Sequence, residues 1–323
     1  MGGGGGGFGD IPSPSKRDET VKVIRERNLE QLKEAREKNK EKRIREMVST
    51  HHPDEMGVVF LNAGQGDATI VRFPNGEVMV VDCNVDNAPE NIVKYLKNAG
   101  ISKIDYLVIT HQHYDHVSGM NEITDNFEVG EVWTTKYERT PEEFNTADDY
   151  KKYKDTYINP LKKLSEKGVK IRTPSAKTET YKESGKVKIY AYSPSSGAQG
   201  KDEDIHEESI AIKVKFGKTS IFFAGDITNK GLDRIGNYYK ISDTTIWHAS
   251  HHGSKEGANE EALKQAKPNY TVIPVGKGNF HGHPHPEAKK IYSKHTQKKV
   301  YRTDEGSVGF RFNLKGESIE VQD

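Results

Sequence analysis

His111-Gln112-His113-Tyr114-Asp115-His116 places three imidazoles and one carboxylate in six residues, at H-x-H-x-D-H spacing. It directly follows Asp105-Tyr106-Leu107-Val108-Ile109-Thr110, an apolar run that reads as a buried strand. Side chains on the turn leaving a strand are held by a rigid scaffold while their tips converge. Neutral imidazole and carboxylate are the groups that borderline divalent metals such as zinc prefer. Neighbours in a tight turn point different ways, so one such cluster can serve two metal sites. The competing reading, a solvated loop that happens to be rich in histidine, does not account for the strand before it or for the matching residues downstream.

Four further features fall where strands are expected to end. Ala224-Gly225-Asp226 closes an apolar run, so Asp226 is a candidate to bridge two metals; alternatively it caps the helix that follows. His248-Ala249-Ser250-His251-His252-Gly253-Ser254 follows another strand. His251 and His252 read as one metal ligand and one partner that supports it or meets substrate, and spacing alone does not assign them. His248 reads as a packed strand-end residue. His206 precedes the strand beginning at Ser209, either as a further ligand beside His111 and His113 or as a loop histidine next to Asp202-Glu203-Asp204. In Phe280-His281-Gly282-His283-Pro284-His285-Pro286-Glu287, which opens a helix, His283 is placed over the cleft as a proton donor or phosphate contact; His281 and His285 read as exposed.

Two weaker signals sit upstream. Gly64-Gln65-Gly66-Asp67-Ala68 allows a tight loop from which Asp67 can reach a metal-bound histidine. Asp82-Cys83-Asn84 ends a strand at the expected cleft floor, with Cys83 as a small buried residue rather than a nucleophile, because no activating base is near it in sequence.

Around these motifs the chain divides simply. Residues 1–15 are rich in Gly, Pro and Ser and are expected to be disordered. From Lys16 to about Val48 the chain is charge-dense, with Val21, Ile24, Leu29, Leu32 and Ala35 forming a thin apolar stripe, which predicts one long helix within an extension spanning 16–52. Lys and Arg exceed Asp and Glu there by about four. The helix is expected either to pack lightly on its own domain or to mediate protein contacts, self-association or nucleic-acid docking. His51-His52-Pro53 marks the boundary and is not expected to bind metal.

From Gly57 to the end, strands and helices alternate. Two hairpins are expected, turning at Pro74-Asn75-Gly76 and at Gly217-Lys218, with a strand at 132–135 and a helical stretch from 141 to 167. Two halves that each begin with hairpins and end with helices predict an α/β fold, a four-layer αββα sandwich of two facing sheets with helices outside and a charged N-terminal helix.

Bulk composition adds exclusions. In 323 residues the formal net charge is +1, so charge selects no partner. No apolar run reaches the roughly 18 residues that span a bilayer, no secretory leader is evident, and Cys83 is the single cysteine. A soluble, cytoplasmic protein is expected.

These motifs in this order resemble the metallo-β-lactamase superfamily, and more narrowly the soluble hydrolase domain of the ComEC competence proteins. The residues that carry the resemblance are Asn62 to Ala68, His111 to His116, Gly225-Asp226, His251 to Ser254, His283 to Glu287 and Tyr301-Arg302-Thr303-Asp304. It covers roughly residues 57–315, within a hydrolase domain expected at 57–323. The resemblance implies two zinc ions per chain, with manganese as the alternative: one held by His111 and His113, the other by Asp115, His116 and one of His251 and His252, with Asp226 bridging. The subgroup often lacks a histidine at the place of His206. Asp82-Cys83-Asn84 stands where the subgroup usually has Asp-Gly-Gly, and Trp247-His248-Ala249-Ser250 where a proline is usual. The membrane channel that accompanies this domain in competence proteins is not part of the match.

The resemblance therefore implies a binuclear phosphodiesterase or nuclease that uses a metal-bridging hydroxide, with Asp115 and His283 as catalytic residues and nucleic acid or a nucleotide as substrate. Lys-rich segments at 151–154, 162–163, 289–290 and 298–299 are candidate phosphate contacts, or plain helix surface. The alternatives are hydrolysis of another ester or amide (a lactone, β-lactam, thioester or phosphocholine ester) and a tethered binding module whose metal is structural.

Overall fold

The computed structural model describes residues 14–135, 137–174, 181–192, 202–238 and 241–322. The stretch 1–13, most of the tail expected to be disordered, lies outside them. The chain divides into two units, Met1–Lys42 and Arg43–Asp323.

The described part of the first unit, residues 14–42, is helical. Helix α1 (Pro14–Ser49) begins two residues before the expected Lys16, since proline's fixed φ suits a first helical turn. The residues of its expected apolar stripe, Val21, Ile24, Leu29, Leu32 and Ala35, are all exposed. The end of α1 belongs to the second unit, where Ile44, Met47 and Val48 are buried.

The second unit starts with strands β1 (Glu55–Phe60), β2 (Ala68–Arg72) and β3 (Val78–Cys83), joined as antiparallel neighbours. The β2–β3 turn is the expected one, with Gly76 donating to the Phe73 carbonyl at 2.9 Å. Helix α2 (Ile92–Asn98) is capped by the Asn91 side chain, which accepts from the Lys94 amide. Strand β4 (Lys103–Val108) then lies parallel to β3. Helices α3 (Tyr114–Val117) and α4 (Met120–Asn126) lead to β5 (Glu128–Trp133), parallel to β4. The strand expected at 132–135 thus sits earlier, because Glu128 to Trp133 is the span that finds ladder partners on β4. The helical stretch expected over 141–167 is broken: a 3₁₀ turn at 141–143, α5 (Ala147–Tyr153), a π turn at 154–158 and α6 (Asn159–Glu166), followed by β6 (Lys170–Arg172).

The second sheet opens with β7 (Lys182–Ser184) and β8 (Val187–Tyr192). Helix α7 (Asp202–Glu207) precedes the hairpin of β9 (Ala211–Phe216) and β10 (Thr219–Phe223). Then α8 (Asn229–Tyr238), β11 (Ile246–His248), α9 (Glu260–Ala266), β12 (Tyr270–Ile273), α10 (Pro286–His295) and β13 (Lys299–Arg302) alternate, with β10 to β13 mutually parallel. Strands β14 (Val308–Asn313) and β15 (Ser318–Gln322) return to the first sheet beside β1. Among the described residues the sheet orders are β15-β14-β1-β2-β3-β4-β5-β6 and β13-β12-β11-β10-β9-β8-β7.

Both faces of these sheets are apolar, and the period of two sorts them. Met79 and Val81 on β3, Phe60 on β1, and Ile221 and Phe223 on β10 fill the core between the sheets. Val78 and Val80 turn to the other face and meet Leu96 of α2, Met120 of α4 and Met47 of α1. Phe222 and Trp247 face outward on the second sheet, against Leu232 of α8, Leu263 of α9 and Tyr292 of α10. The result is the expected four-layer sandwich. The end of α1 is pressed onto β1 so closely that a Cβ at Gly57 would stand 1.8 Å from the Met47 carbonyl oxygen, which makes glycine obligatory there.

Met47→Ala should therefore destabilise the fold by about 2–5 kcal/mol, whereas Leu29→Ala on the same helix should stay within about 0.5 kcal/mol of the parent. Urea denaturation of the two variants measures the contrast.

Candidate metal centre

The parallel strands deliver the polar residues. The loop after β4 carries His111 and His113, and α3 continues it with Asp115 and His116. Asp226 follows β10, and His252 follows β11. Open α/β sheets place their ligand sites at such carboxyl ends.

Among the described residues four groups of side chains could each hold a metal ion, two of them built on Asp67 (with Asp226 and His252, and with Asp82 and His116) and two on the histidine cluster. One atom from each of His111, His113, His206 and Asp226 lies within 4.8 Å of the others, and the same holds for Asp115, His116 and His252. In the first set His111 Nε2 is 3.0 Å from His113 Nδ1 and 3.7 Å from Asp226 Oδ2. In the second, His252 Nε2 is 3.2 Å from Asp115 Oδ2, and His116 Nε2 is 4.0 Å from Asp115 Oδ1. Asp226 stands between them: Oδ1 is 3.4 Å from His116 Nε2, and Oδ2 is 3.5 Å from His252 Nε2. Helix α8 starts only at Asn229, so Asp226 is not its cap. His206 is not in a loop, as one reading had it, but in the last turn of α7, its ring 4.6 Å from that of His113.

The tandem His251-His252 separates by backbone conformation. Both residues have left-handed φ, 51° and 53°, a strained state for residues with a Cβ. Their rings diverge, with centroids 6.3 Å apart. His252 Nδ1 donates to the Pro274 carbonyl at 3.1 Å, which leaves Nε2 to face Asp115 and Asp226. His251 instead sets its ring 4.3 Å from that of His206 and 5.6 Å from that of His283, outside both ligand sets.

His116 is oriented from behind. Its Nδ1 lies 2.8 Å from Asp82 Oδ2, and Asp82 in turn accepts from the Thr110 amide at 2.8 Å and the Thr110 hydroxyl at 2.7 Å. Sequence placed Asp82 only on the cleft floor, and its grip on His116 was missed. No spacing in the sequence signals it, because it depends on β3, which Asp82 terminates, lying beside β4 with Val81 opposite Val108. Asp67 lies 3.6 Å from His116 Nδ1 and 3.3 Å from His248 Nε2, but among the described residues neither of its carboxylate oxygens makes a hydrogen bond. The glycine pattern around Asp67 has a steric cause: a Cβ on Gly66 (φ 138°) would stand 2.3 Å from the Asp115 carbonyl oxygen. His248 is buried at the end of β11 and stacks on Phe60 at 5.7 Å. Cys83 is fully buried, and burial first, then Asp82, suppress its acidity.

The donor set fits divalent cations. His116 Nε2, His252 Nε2 and Asp226 Oδ1 are buried with no hydrogen-bond partner among the described residues, although buried polar atoms are almost always paired. Their outer ring nitrogens are already tied, so the free lone pairs aim inward, the arrangement that metal-binding histidines adopt. The local field favours positive charge. Burial opposes the charged form of His252, yet Asp226 and Asp115 raise its pKa to about 9. Burial likewise opposes ionisation of Asp226, and the His252 and His116 charges overcome it, holding the carboxyl well below its usual range. His111, His113 and His206 are pushed down by burial, His206 to about 4, so they are neutral near pH 7, the form in which imidazole ligates.

The cluster opens into a cavity of about 600 Å³, walled also by Gln65, Asp86, Asn87, Tyr114, Phe280, His281 and His283. His283 is half-buried there, and burial first, then His252 and His251, lower its pKa to about 3. His285 has a structural task, its Nδ1 accepting from the Lys255 amide at 3.0 Å. His51 bonds the Pro74 carbonyl, and His52 lies 3.7 Å from Glu55; neither joins a ligand set. Of the lysines considered for phosphate, Lys152 rests 3.3 Å above the Tyr114 ring at the cavity wall, while Lys151 and Lys163 pair with Asp155 and Asp125.

Comparison with known proteins bears on the family and the fold. The sequence model of the metallo-beta-lactamase superfamily matches residues 61–277. ComE operon protein 3 of Bacillus subtilis (strain 168) is 24% identical over 283 residues, covering 82% of this chain and 34% of that protein. Competence protein ComA of Neisseria gonorrhoeae is 22% identical over 273 residues, covering 83% and 34%. The chain thus spans about a third of the length of the curated relatives it matches. Among solved structures, a mutant of the CmlA β-hydroxylase, a protein of Streptomyces venezuelae, aligns with a TM-score of 0.50 at 16% identity, over 80% of this chain and 54% of that one. That likeness concerns the fold alone. Among the described residues, no helix is long and apolar enough to cross a membrane.

Asp82→Ala should release His116 and weaken divalent-metal binding about 10–100-fold. Competition against a chromophoric chelator reads the affinity, and an unchanged value would remove Asp82 from the role assigned to it.

Proposed function

The chain belongs to the metallo-β-lactamase superfamily, and from that footing we propose that it is a phosphodiesterase acting on nucleic acid or nucleotides, with two divalent metal ions, zinc or manganese, per chain. The observation that carries this reading is the pair of ligand sets joined through Asp226 at the floor of an open cavity. His111, His113, His206 and Asp226 would hold one ion, and Asp115, His116, His252 and Asp226 the other. Bound metal supplies Lewis acidity toward a phosphoryl oxygen and activates water for attack near neutral pH.

The rest is the work of the chain's own side chains. Asp115 and Asp226 fix the ligand histidines by charge, and Asp82 and the Pro274 carbonyl set which ring nitrogens face inward. His283, neutral before substrate arrives, stands in the cavity wall where its ring can hydrogen-bond a phosphate oxygen. An incoming phosphate anion raises its affinity for a proton, which then suits it to protonate the leaving oxygen. His251, His281 and His283 make that side of the wall rich in imidazole, favourable to an anionic substrate. Similarity to competence proteins supports nucleic acid over a lactone or β-lactam.

Elemental analysis of the purified protein should find about two metal ions per chain. Metal-loaded protein should hydrolyse oligonucleotides or cyclic nucleotides, lose activity on chelation and recover it on reconstitution. Asp115→Ala should lower kcat by about a hundredfold or more. Hydrolysis indifferent to chelation and to Asp115→Ala would overturn the proposal.

A further inference from the structure

The cavity mouth carries a side chain that neither the metal centre nor the core requires. Phe280 is 91% exposed, whereas the other exposed large apolar residues described in the second unit, Ile171 and Leu314, stand at 39% and 37%. A phenyl ring left in water forgoes the free energy of burial, and here the backbone holds it out. Asn279 closes the loop as a clip: Nδ2 donates to the carbonyls of Gly276 (2.9 Å) and His283 (2.7 Å), and Oδ1 accepts from the His283 amide (3.0 Å). The base is anchored by the Gly276 amide, which donates to Gln65 Oε1 at 3.2 Å. Left-handed Gly278 and Gly282 turn the chain on either side of Phe280.

The ring also begins a series. Phe280 lies 4.2 Å from His281, His281 is stacked 5.4 Å from His283, and His283 is stacked 6.4 Å from His252 of the metal centre. An exposed cation, Lys277, sits on the same loop. A flat apolar face, a positive charge and a path of rings leading to a cation site suit a ligand that joins aromatic planes to phosphates. We infer that Phe280 is a stacking platform for a nucleobase next to the scissile phosphate, and that the substrate is single-stranded nucleic acid. This deepens the phosphodiesterase reading above and rests on it. The strandedness follows from geometry: inside a duplex each base face is covered by its neighbours, so a base meets Phe280 only after leaving that stack.

The test uses full-length metal-loaded protein, wild type, Phe280→Ala and Phe280→Trp. Substrates are an oligothymidylate, a deoxyribose-phosphate oligomer of the same length without bases, and the oligothymidylate annealed to its complement. Phe280→Ala should raise KM on the single strand on the order of tenfold, leave kcat unchanged and leave the base-free polymer unaffected, while Phe280→Trp stays near wild type. Anisotropy of a labelled, cleavage-resistant phosphorothioate oligomer should show the same loss of affinity. Equal KM for Phe280→Ala and wild type, an equal loss on the base-free polymer, or wild-type cleavage of the duplex as fast as the single strand each overturns the stacking role and leaves phosphodiester hydrolysis standing. Failure of the wild type to cut any of the three polymers overturns both.

Discussion

Burial of the Asp226 carboxylate is the constraint on which the site depends. A lone carboxylate taken out of water costs several kcal/mol unless positive charge meets it. Asp226 is 2% exposed, one of its oxygens has no hydrogen-bond donor among the described residues, and imidazoles close in from His111, His116 and His252. Residues with such partnerless atoms on converging ligand types are what a fold builds to hold cations. Everything nearby serves to keep that charge where it is: Thr110 fixes Asp82, Asp82 fixes His116, and the Pro274 carbonyl fixes His252.

The architecture makes this affordable in geometric terms. His111 and His113 follow β4, Asp226 follows β10 and His252 follows β11, so a ladder anchors the backbone close to each of these while its tip enters the cleft; Asp115 and His116 are carried by α3 and His206 by α7. Backbone strain concentrates at the same edge, with Asp82, His251 and His252 all at positive φ. Strained residues of this kind persist where the surroundings over-determine them, and they gather at functional sites.

Much of this was legible in the chain. The strand 105–110 and the histidines after it, Asp226 behind an apolar run, and the hairpin signals all depend on local pattern, and local pattern is what a sequence displays. The choice between His251 and His252 was not legible, because it turns on two φ angles that no spacing encodes. The pairing of Asp82 with His116 required knowing that β3 lies beside β4. His206 stayed open between a ligand beside His111 and His113 and a loop residue, because α7 is a single short helix in an acidic stretch. The stretch over 141–166 was read as one helix, but it breaks at 144–146 and passes through a π turn at 154–158. Strand β7, Lys-Glu-Ser, is short and polar, so alternation gave it no contrast; β15, Ser-Ile-Glu-Val-Gln, does alternate and was overlooked.

The two ligand sets draw on both layers of the sandwich: His111 to His116 extend from the first sheet, Asp226 and His252 from the second. A cation gripped between them would act as a rivet through the stack. Sliding or splaying of one sheet against the other would have to break coordination bonds before it could open the apolar interface. Mechanical and proteolytic endurance of the molecule would then be governed by the occupancy of its cleft as much as by the packing of Phe60, Phe223 and Phe310 beneath it.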